Sequence, residues 1–347
     1  MFTITALPAS FGDCLWIEYG KKDAPHVILI DAGPSAPKQL KERLETLKQR
    51  KGVLELVVVT HVDADHIAGV LTLLENDFYG VPVRDLWFNG FRHLPGEAFG
   101  EKQGERLTKL ILEKGYPWNV DFDNGPVKVD GKGSNPEIAL PGGATINLLS
   151  PDSAQLAKLK KSWIQVCGDA DLYEDMVASP KYFGEDEAFG EGVPDVNALA
   201  DTPFKEDATE ANGSSIAFSL GYGGKRVLCG ADAYPSRLLQ SLTDLHGARP
   251  FAFDAVKLPH HGSANNVSIE FVEALSSPHY IFSTNGARFK HPSRPAVARV
   301  VRHGAKPNLV FNYKSEFNKF WDDSLIQASF PYTVEFGDED GVTVVLS

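Results

Sequence analysis

Apolar residues recur along this chain in short blocks whose spacing switches between the two-residue period of strands and the longer period of helices. "FTITAL" and "CLWIEY" read as strands, and "HVILID" as a third that ends on Asp31 and the turn "AGPSAP". The polar, helix-forming "PKQLKERLETLKQRK" follows, then the apolar run "LELVVVT", then "DHIAGVLTLLEND", in which Ile67, Val70, Leu71 and Leu74 recur at helical spacing. From "RDLWFNGFRHLPGEAFG" onward glycines and aromatics interrupt any period. "GERLTKLILEKG" predicts a helix, "DNGPVKVDGKGSNPE" is rich in turn formers, and "EIALPGG" and "ATINLLS" predict strands. "SSIAFSLGYGGKRVLCGADA" reads as two strands joined by a glycine-rich hairpin turn. After a helix, "FDAVKLPHHGSANN", "HYIFSTNG" and "VARVVRHG" alternate buried strand with helix again. Both halves begin β-rich and end βα, which predicts a pseudo-symmetric pair of sheets flanked by helices in one domain, 1–347.

Residues 167–211 break the pattern: they are acidic, poor in periodicity and longer than an ordinary loop. The segment admits two readings. One is a solvated surface insertion; the other is a regulatory flap that lies over a cleft and mimics a polyanion, with a regulatory protein or a protease as its partner.

With 43% hydrophobic residues the chain can bury a sizeable core, and its net charge of −12 gives no basic footprint for long nucleic acid. Three widely spaced cysteines suggest neither a disulfide framework nor a CxxC metal site. No run approaches the roughly 20 apolar residues of a membrane helix. The expectation is a soluble, cytoplasmic protein without a membrane partner.

The chemistry concentrates in "VVVTHVDADHIAGV", where His61, Asp63, Asp65 and His66 crowd a strand-to-helix turn. In extended chain, residues i and i+2 share a face, so His61 and Asp63 can meet one ion while Asp65 and His66 open the helix toward a second. Imidazole with carboxylate suits zinc, manganese or iron. The alternative is a helix N-cap by Asp63 or Asp65, which does not account for two histidines and a second aspartate. Other predicted strand ends deliver Asp31, Asp232 and the pair His260 and His261, and ligands gather at strand ends in α/β sheets.

"LIDAG", "THVDADHIAGV", "VLCGAD", "LPHHGS" and "STNG" followed by "HPS", in this order, resemble the metallo-β-lactamase superfamily, most closely its branch containing the C-terminal domain of the competence protein ComEC. The resemblance implies an α/β (α+β) fold, a four-layer αββα sandwich with two divalent metal ions, Zn²⁺ or Mn²⁺, between the sheets. It assigns His61 and Asp63 to a first ion, Asp65, His66 and His261 to a second, and Asp232 to both. Asp31 resembles the family's supporting aspartate. His261 is favoured as the ligand of its pair by likeness to a choline-phosphate esterase of the superfamily, which leaves His260 to face the substrate. Asn285 and His291 are expected around the site or in a substrate loop.

One departure stands out. Many members carry a further histidine between the HxHxDH turn and the bridging aspartate, whereas here His93 alone lies between His66 and Asp232, and early. Asn212 resembles the asparagine of the ComEC branch, which implies a weaker or partly water-filled first site. The resemblance implies a metal-activated water attacking an ester, with Asp65 and His260 as catalytic groups and a phosphodiester, nucleic acid or small, as substrate. Hydrolysis of a small ester, lactone or phosphoester, and a non-catalytic metal-binding regulatory module, are the alternatives.

Overall fold

The computed structural model describes residues 1–95, 106–130, 135–171 and 194–346. Its strands are β1 (Phe2–Ala6), β2 (Leu15–Lys21), β3 (Ala24–Ile30), β4 (Leu54–Val58), β5 (Leu86–Trp87), β6 (Glu137–Ala139), β7 (Thr145–Ser150), β8 (Ala217–Tyr222), β9 (Lys225–Cys229), β10 (Phe251–Ala252), β11 (Ala255–Lys257), β12 (Leu275–Ser276), β13 (His279–Phe282), β14 (Asn308–Phe311), β15 (Thr333–Phe336) and β16 (Val342–Val345). Among the described residues they form a six-stranded sheet, β16-β1-β2-β3-β4-β5, an eight-stranded sheet, β15-β14-β13-β11-β9-β8-β7-β6, and the small pair β10-β12.

The strands are apolar on both faces because both faces are covered. In β1 to β3, Phe2, Ile4, Leu15, Ile17 and Ile28 meet Ile146, Phe218, Val227 and Ile281 of the other sheet in a core between the two. On the outer face of the six-stranded sheet, Trp16, Leu29 and Val57 pack against Leu40, Leu44, Val70 and Leu74 of the helices Lys38–Gln49 and Ala64–Glu75. The eight-stranded sheet is covered by Leu238 and Leu242 of helix Pro235–His246 and by Val297 and Val301 of helix Arg294–His303. The result is the expected mixed α/β arrangement of helix, sheet, sheet and helix layers.

Two features differ from the sequence reading. Strands β14, β15 and β16 lie beyond the last element the pattern reading named, and β16 pairs antiparallel with β1 and closes the first sheet. The acidic segment 167–211 divides: residues up to Asp171 complete the helix Ser153–Asp171, residues 172–193 lie outside the described residues, and Val196–Ala200 and Glu210–Gly213 are short helices.

Parallel pairing of β3 with β4 and β5, and of β9 with β11, β13 and β14, sends these strands' carboxyl ends in a common direction within each sheet. The helix Ala64–Glu75 then packs directly on the loop after β3: Ala32 N donates to the His66 carbonyl at 3.2 Å and Gly69 N to the Gly33 carbonyl at 2.8 Å. A Cβ on Gly69 would stand 2.0 Å from the Ala32 carbonyl oxygen, a backbone atom that cannot swing away. Gly69→Ala is therefore expected to destabilise the protein by about 1–3 kcal/mol, the usual range for overpacking. An unchanged denaturant midpoint would show that the close approach is not required.

Candidate metal centre

The turn that follows β4 is held by a carboxylate from β3. Asp31, fully buried with φ of +55°, accepts from Thr60 N at 2.8 Å and Thr60 Oγ1 at 2.7 Å, and lies 2.8 Å from Nδ1 of His66. Thr60 Oγ1 is in turn 3.0 Å from Nδ1 of His61. One carboxylate thereby fixes both histidines by their Nδ1 atoms and turns both Nε2 atoms inward, the usual way a ligating imidazole is oriented.

The eight-stranded sheet supplies the opposing groups. Asp232 follows β9, and His260 and His261 follow β11 within the turn Pro259–Gly262. His260, His261 and Gly262 have φ of +48°, +53° and +82°. Neighbouring residues of extended chain point apart, whereas this left-handed turn aims both rings the same way.

The two sets converge. Oδ2 of Asp232 lies 3.4 Å from Nε2 of His66, 3.8 Å from that of His261, 3.9 Å from that of His61 and 3.8 Å from that of His260. Oδ2 of Asp65 lies 3.3 Å from Nε2 of His261, and Oδ2 of Asp63 lies 3.6 Å from Nε2 of His61. Nε2 of His61, His66 and His261, and Oδ1 of Asp232, are buried without a hydrogen-bond partner. Each orphaned group costs about 1–3 kcal/mol, so together they weigh against a net stability of only about 5–15 kcal/mol. Separations of 3.3–3.9 Å are long for direct hydrogen bonds but suit donors that share an ion. His61, His66 and Asp232, and Asp65, His66 and His261, form two such donor groups. The residues fit divalent cations.

Capping does not explain the acids. Asp63 occupies the N-cap position of helix Ala64–Glu75 but makes no side-chain capping bond, and the helix after Asp232 starts at Pro235 with Tyr234 before it. A third cluster, Asp13, Asp31 and His66, is already used: Asp31 by Thr60, Asp13 by the ammonium of Lys257.

Electrostatics show what the cluster demands. Burial pushes the His261 imidazole down, but Asp13 and Asp232 outweigh it and raise its pKa from 6.5 to about 9. His66 rises well above its ordinary value, since Asp232, Asp31 and Asp65 outweigh its burial. Burial raises the Asp65 carboxyl, yet His66 and His261 outweigh it and hold it at about 2.

Asp13 and Lys257 were not read from the sequence. Lys257, fully buried at the end of β11, pairs with Asp13 Oδ2, and Asp13 Oδ1 lies 3.2 Å from Nδ1 of His261, which also meets the Ser283 carbonyl at 2.9 Å. The legible signal is a lysine inside the otherwise apolar run "AVKLP". Asp207 was passed over as part of an acidic insertion, yet its Oδ2 lies 3.4 Å from Nδ1 of His260. Of the other expected residues, Asn212 is buried and donates to Asp207 Oδ2 at 2.5 Å. His291 packs edge-on against His260, with ring centroids 5.3 Å apart. Asn285 stands further out, tying its loop to Ser10 through Nδ2 at 3.2 Å and its own N at 2.8 Å.

Two outcomes are expected. Metal must displace protons from His261 and His66, so at pH 7 binding releases protons and affinity rises with pH, the His261 share being up to about tenfold per pH unit until about pH 9. Calorimetry in buffers of different ionisation enthalpy reads the release directly, and pH-independent affinity with no release would contradict it. Lys257→Met strands the Asp13 charge and is expected to cost about 3–5 kcal/mol, with much of it recovered by adding Asp13→Asn. Equal stability of the single and double variants, measured by urea unfolding, would refute that pairing.

Parts of this chain are similar to known proteins. Residues 8–148 match the family model described as the metallo-beta-lactamase superfamily. The probable metallo-hydrolase YqjP of Bacillus subtilis (strain 168) is 34% identical over 121 residues, which cover 34% of this chain and 34% of the relative. The match thus spans about a third of that curated relative's length. Among solved structures, a diphosphatase from the PhnP family is 12% identical, covering 100% of this chain and 98% of its own with a TM-score of 0.42. The metallo-beta-lactamase fold protein YhfI from Bacillus subtilis is 10% identical, covering 99% and 100% with a TM-score of 0.40. Residues 8–148, the stretch that matches the family model, carry Asp31 and the whole His61–His66 turn.

Proposed function

We propose that this chain is a metallo-hydrolase that binds two divalent cations and cleaves phosphodiester bonds. The observation that carries the reading is the approach of four imidazole Nε2 atoms to within 3.4–3.9 Å of one buried carboxylate oxygen, Asp232 Oδ2. When bound, divalent cations lower the pKa of a water toward neutrality and offset charge that develops on a phosphoryl group. His61, Asp63 and Asp232 would hold one ion, and Asp65, His66, His261 and Asp232 the other. Asp63 makes the first set carboxylate-rich, and hard oxygen donors suit manganese as well as zinc.

The open side of the cluster favours an anionic substrate. Arg288 stacks over Phe11 and Phe289, 5.5 and 5.1 Å from the ring centroids, close enough to Asp63 and Asp65 for both carboxylates to act on it. Its guanidinium can meet a phosphoryl oxygen. The net charge of −12 favours a small phosphodiester over a long polynucleotide. Asp65, ionised throughout the neutral range, keeps its acceptor oxygens available at every working pH.

With Mn²⁺ or Zn²⁺ added, the protein is expected to hydrolyse bis(p-nitrophenyl) phosphate and short dinucleotides faster than a lactone. Asp65→Asn should lower that rate by about 100-fold or more, or about 3 kcal/mol of barrier. Turnover of the lactone alone would move the reading to carboxylic esters. Equal rates for Asp65→Asn and the parent chain would exclude the assigned centre.

A further inference from the structure

We propose that His260 is itself a metal ligand, completing the first half-site with His61, Asp63 and Asp232, and that Asp207 positions it. The inference rests on the metal-dependent reading of the same cluster. It changes the role expected for His260 from the sequence, that of a group facing substrate.

Three observations carry it. First, Nε2 of His260 lies 3.8 Å from Asp232 Oδ2, equal to the distance for His261 and within 0.1 Å of that for His61 at 3.9 Å. Two consecutive left-handed residues, His260 and His261, are needed to bring adjacent rings to one oxygen. Backbone of this kind costs about 1–3 kcal/mol per non-glycine residue and persists where the surroundings require it. A ring needed only at the mouth of the cleft would not demand both.

Second, His260 is wired like the other three. Its Nδ1 meets Asn266 Oδ1 at 2.9 Å and the Asp207 carboxylate at 3.4 Å. Asp31, Thr60 and the Ser283 carbonyl occupy the same position on His66, His61 and His261. Acceptors at Nδ1 place the proton there and leave the Nε2 lone pair pointing at the cluster. Asp207 is itself fixed: its Oδ1 accepts from Thr209 N and Oγ1, both at 2.9 Å, and its Oδ2 from Asn212 at 2.5 Å.

Third, the histidine that lies between the turn and Asp232 in sequence is engaged elsewhere. His93 packs edge-on against Trp118, with ring centroids 4.6 Å apart, and accepts from Arg92 Nε at 3.1 Å. Burial and Arg92 press its pKa down to about 4. Beside His260 stands His291, ring centroids 5.3 Å apart and edge-on, whose Nδ1 is 3.2 Å from Ser293 Oγ.

The test is metal stoichiometry, read apart from activity. Metal-free protein is titrated with Mn²⁺, and free Mn²⁺ is followed by electron paramagnetic resonance. The parent chain is expected to bind two ions; His260→Ala keeps one and loses affinity for the other by at least about 100-fold, and Asp207→Asn weakens that same ion by about 10- to 100-fold. His291→Ala should leave both ions in place. His260→Cys, loaded with Co²⁺, provides a second readout: a thiolate-to-cobalt charge-transfer band appears only if residue 260 reaches an ion. Two ions bound unchanged in His260→Ala, or a folded, Co²⁺-loaded His260→Cys without the band, would overturn the proposal. No ion bound by the parent chain would instead remove the metal-dependent reading beneath it.

Discussion

The carboxylate of Asp232 sits where the two sheets meet, within 3.9 Å of imidazole nitrogens carried by both. His61 and His66 come from the end of β4, Asp232 from the end of β9 and His260 and His261 from the end of β11, and the Nε2 atoms of His61, His66 and His261 are buried without a hydrogen-bond partner. Attraction to a cation at this seam therefore acts across the sandwich. An ion bound here stabilises the folded chain by mass action as well as equipping it for chemistry, because the unfolded chain cannot present the same donors together.

Holding such a cluster open requires a second layer that is stiffer than the first. Asp31 and Thr60 fix the turn from one side; Asp13, Lys257 and the Ser283 carbonyl fix His261 from the other; Asp207 and Asn266 fix His260. A buried ion pair such as Lys257 with Asp13 recovers little net stability once desolvation is counted, so its value lies in orientation. The glycines do related work on the backbone. Gly12 would clash with the Asp65 carbonyl if it carried a Cβ, and Gly69 with that of Ala32, so both allow the ligand-bearing turn to seat closely on its neighbours.

Much of this was legible in the sequence where short-range pattern and chemistry coincide. The apolar runs before Asp31, Thr60, Asp232 and His260 marked strands, and the polar residues after them marked strand ends that could converge. What escaped depends on long-range pairing. β16 is a plain alternation whose partner β1 lies at the far end of the chain, and helix Ser153–Asp171 opens in a lysine-rich stretch that blurs its apolar face. Asp13 sits 244 residues from Lys257, with which it pairs, and Asp207 sits 53 residues from His260. Asp207 was hidden a second way, because an acidic stretch makes any one of its carboxylates look solvated. The histidine pair shows the finer limit: family likeness assigned His261 to the metal and His260 to the substrate, and only the left-handed turn reveals that both face Asp232.

The central claim is that this seam is built around cations. Its most direct test is a crystal structure of the Mn²⁺-loaded chain with anomalous scattering recorded at the metal edge. The account predicts two anomalous peaks that share Asp232, one beside His61 and one beside His66 and His261. A fully loaded crystal with no peak at Asp232, or with peaks elsewhere on the surface alone, would contradict it.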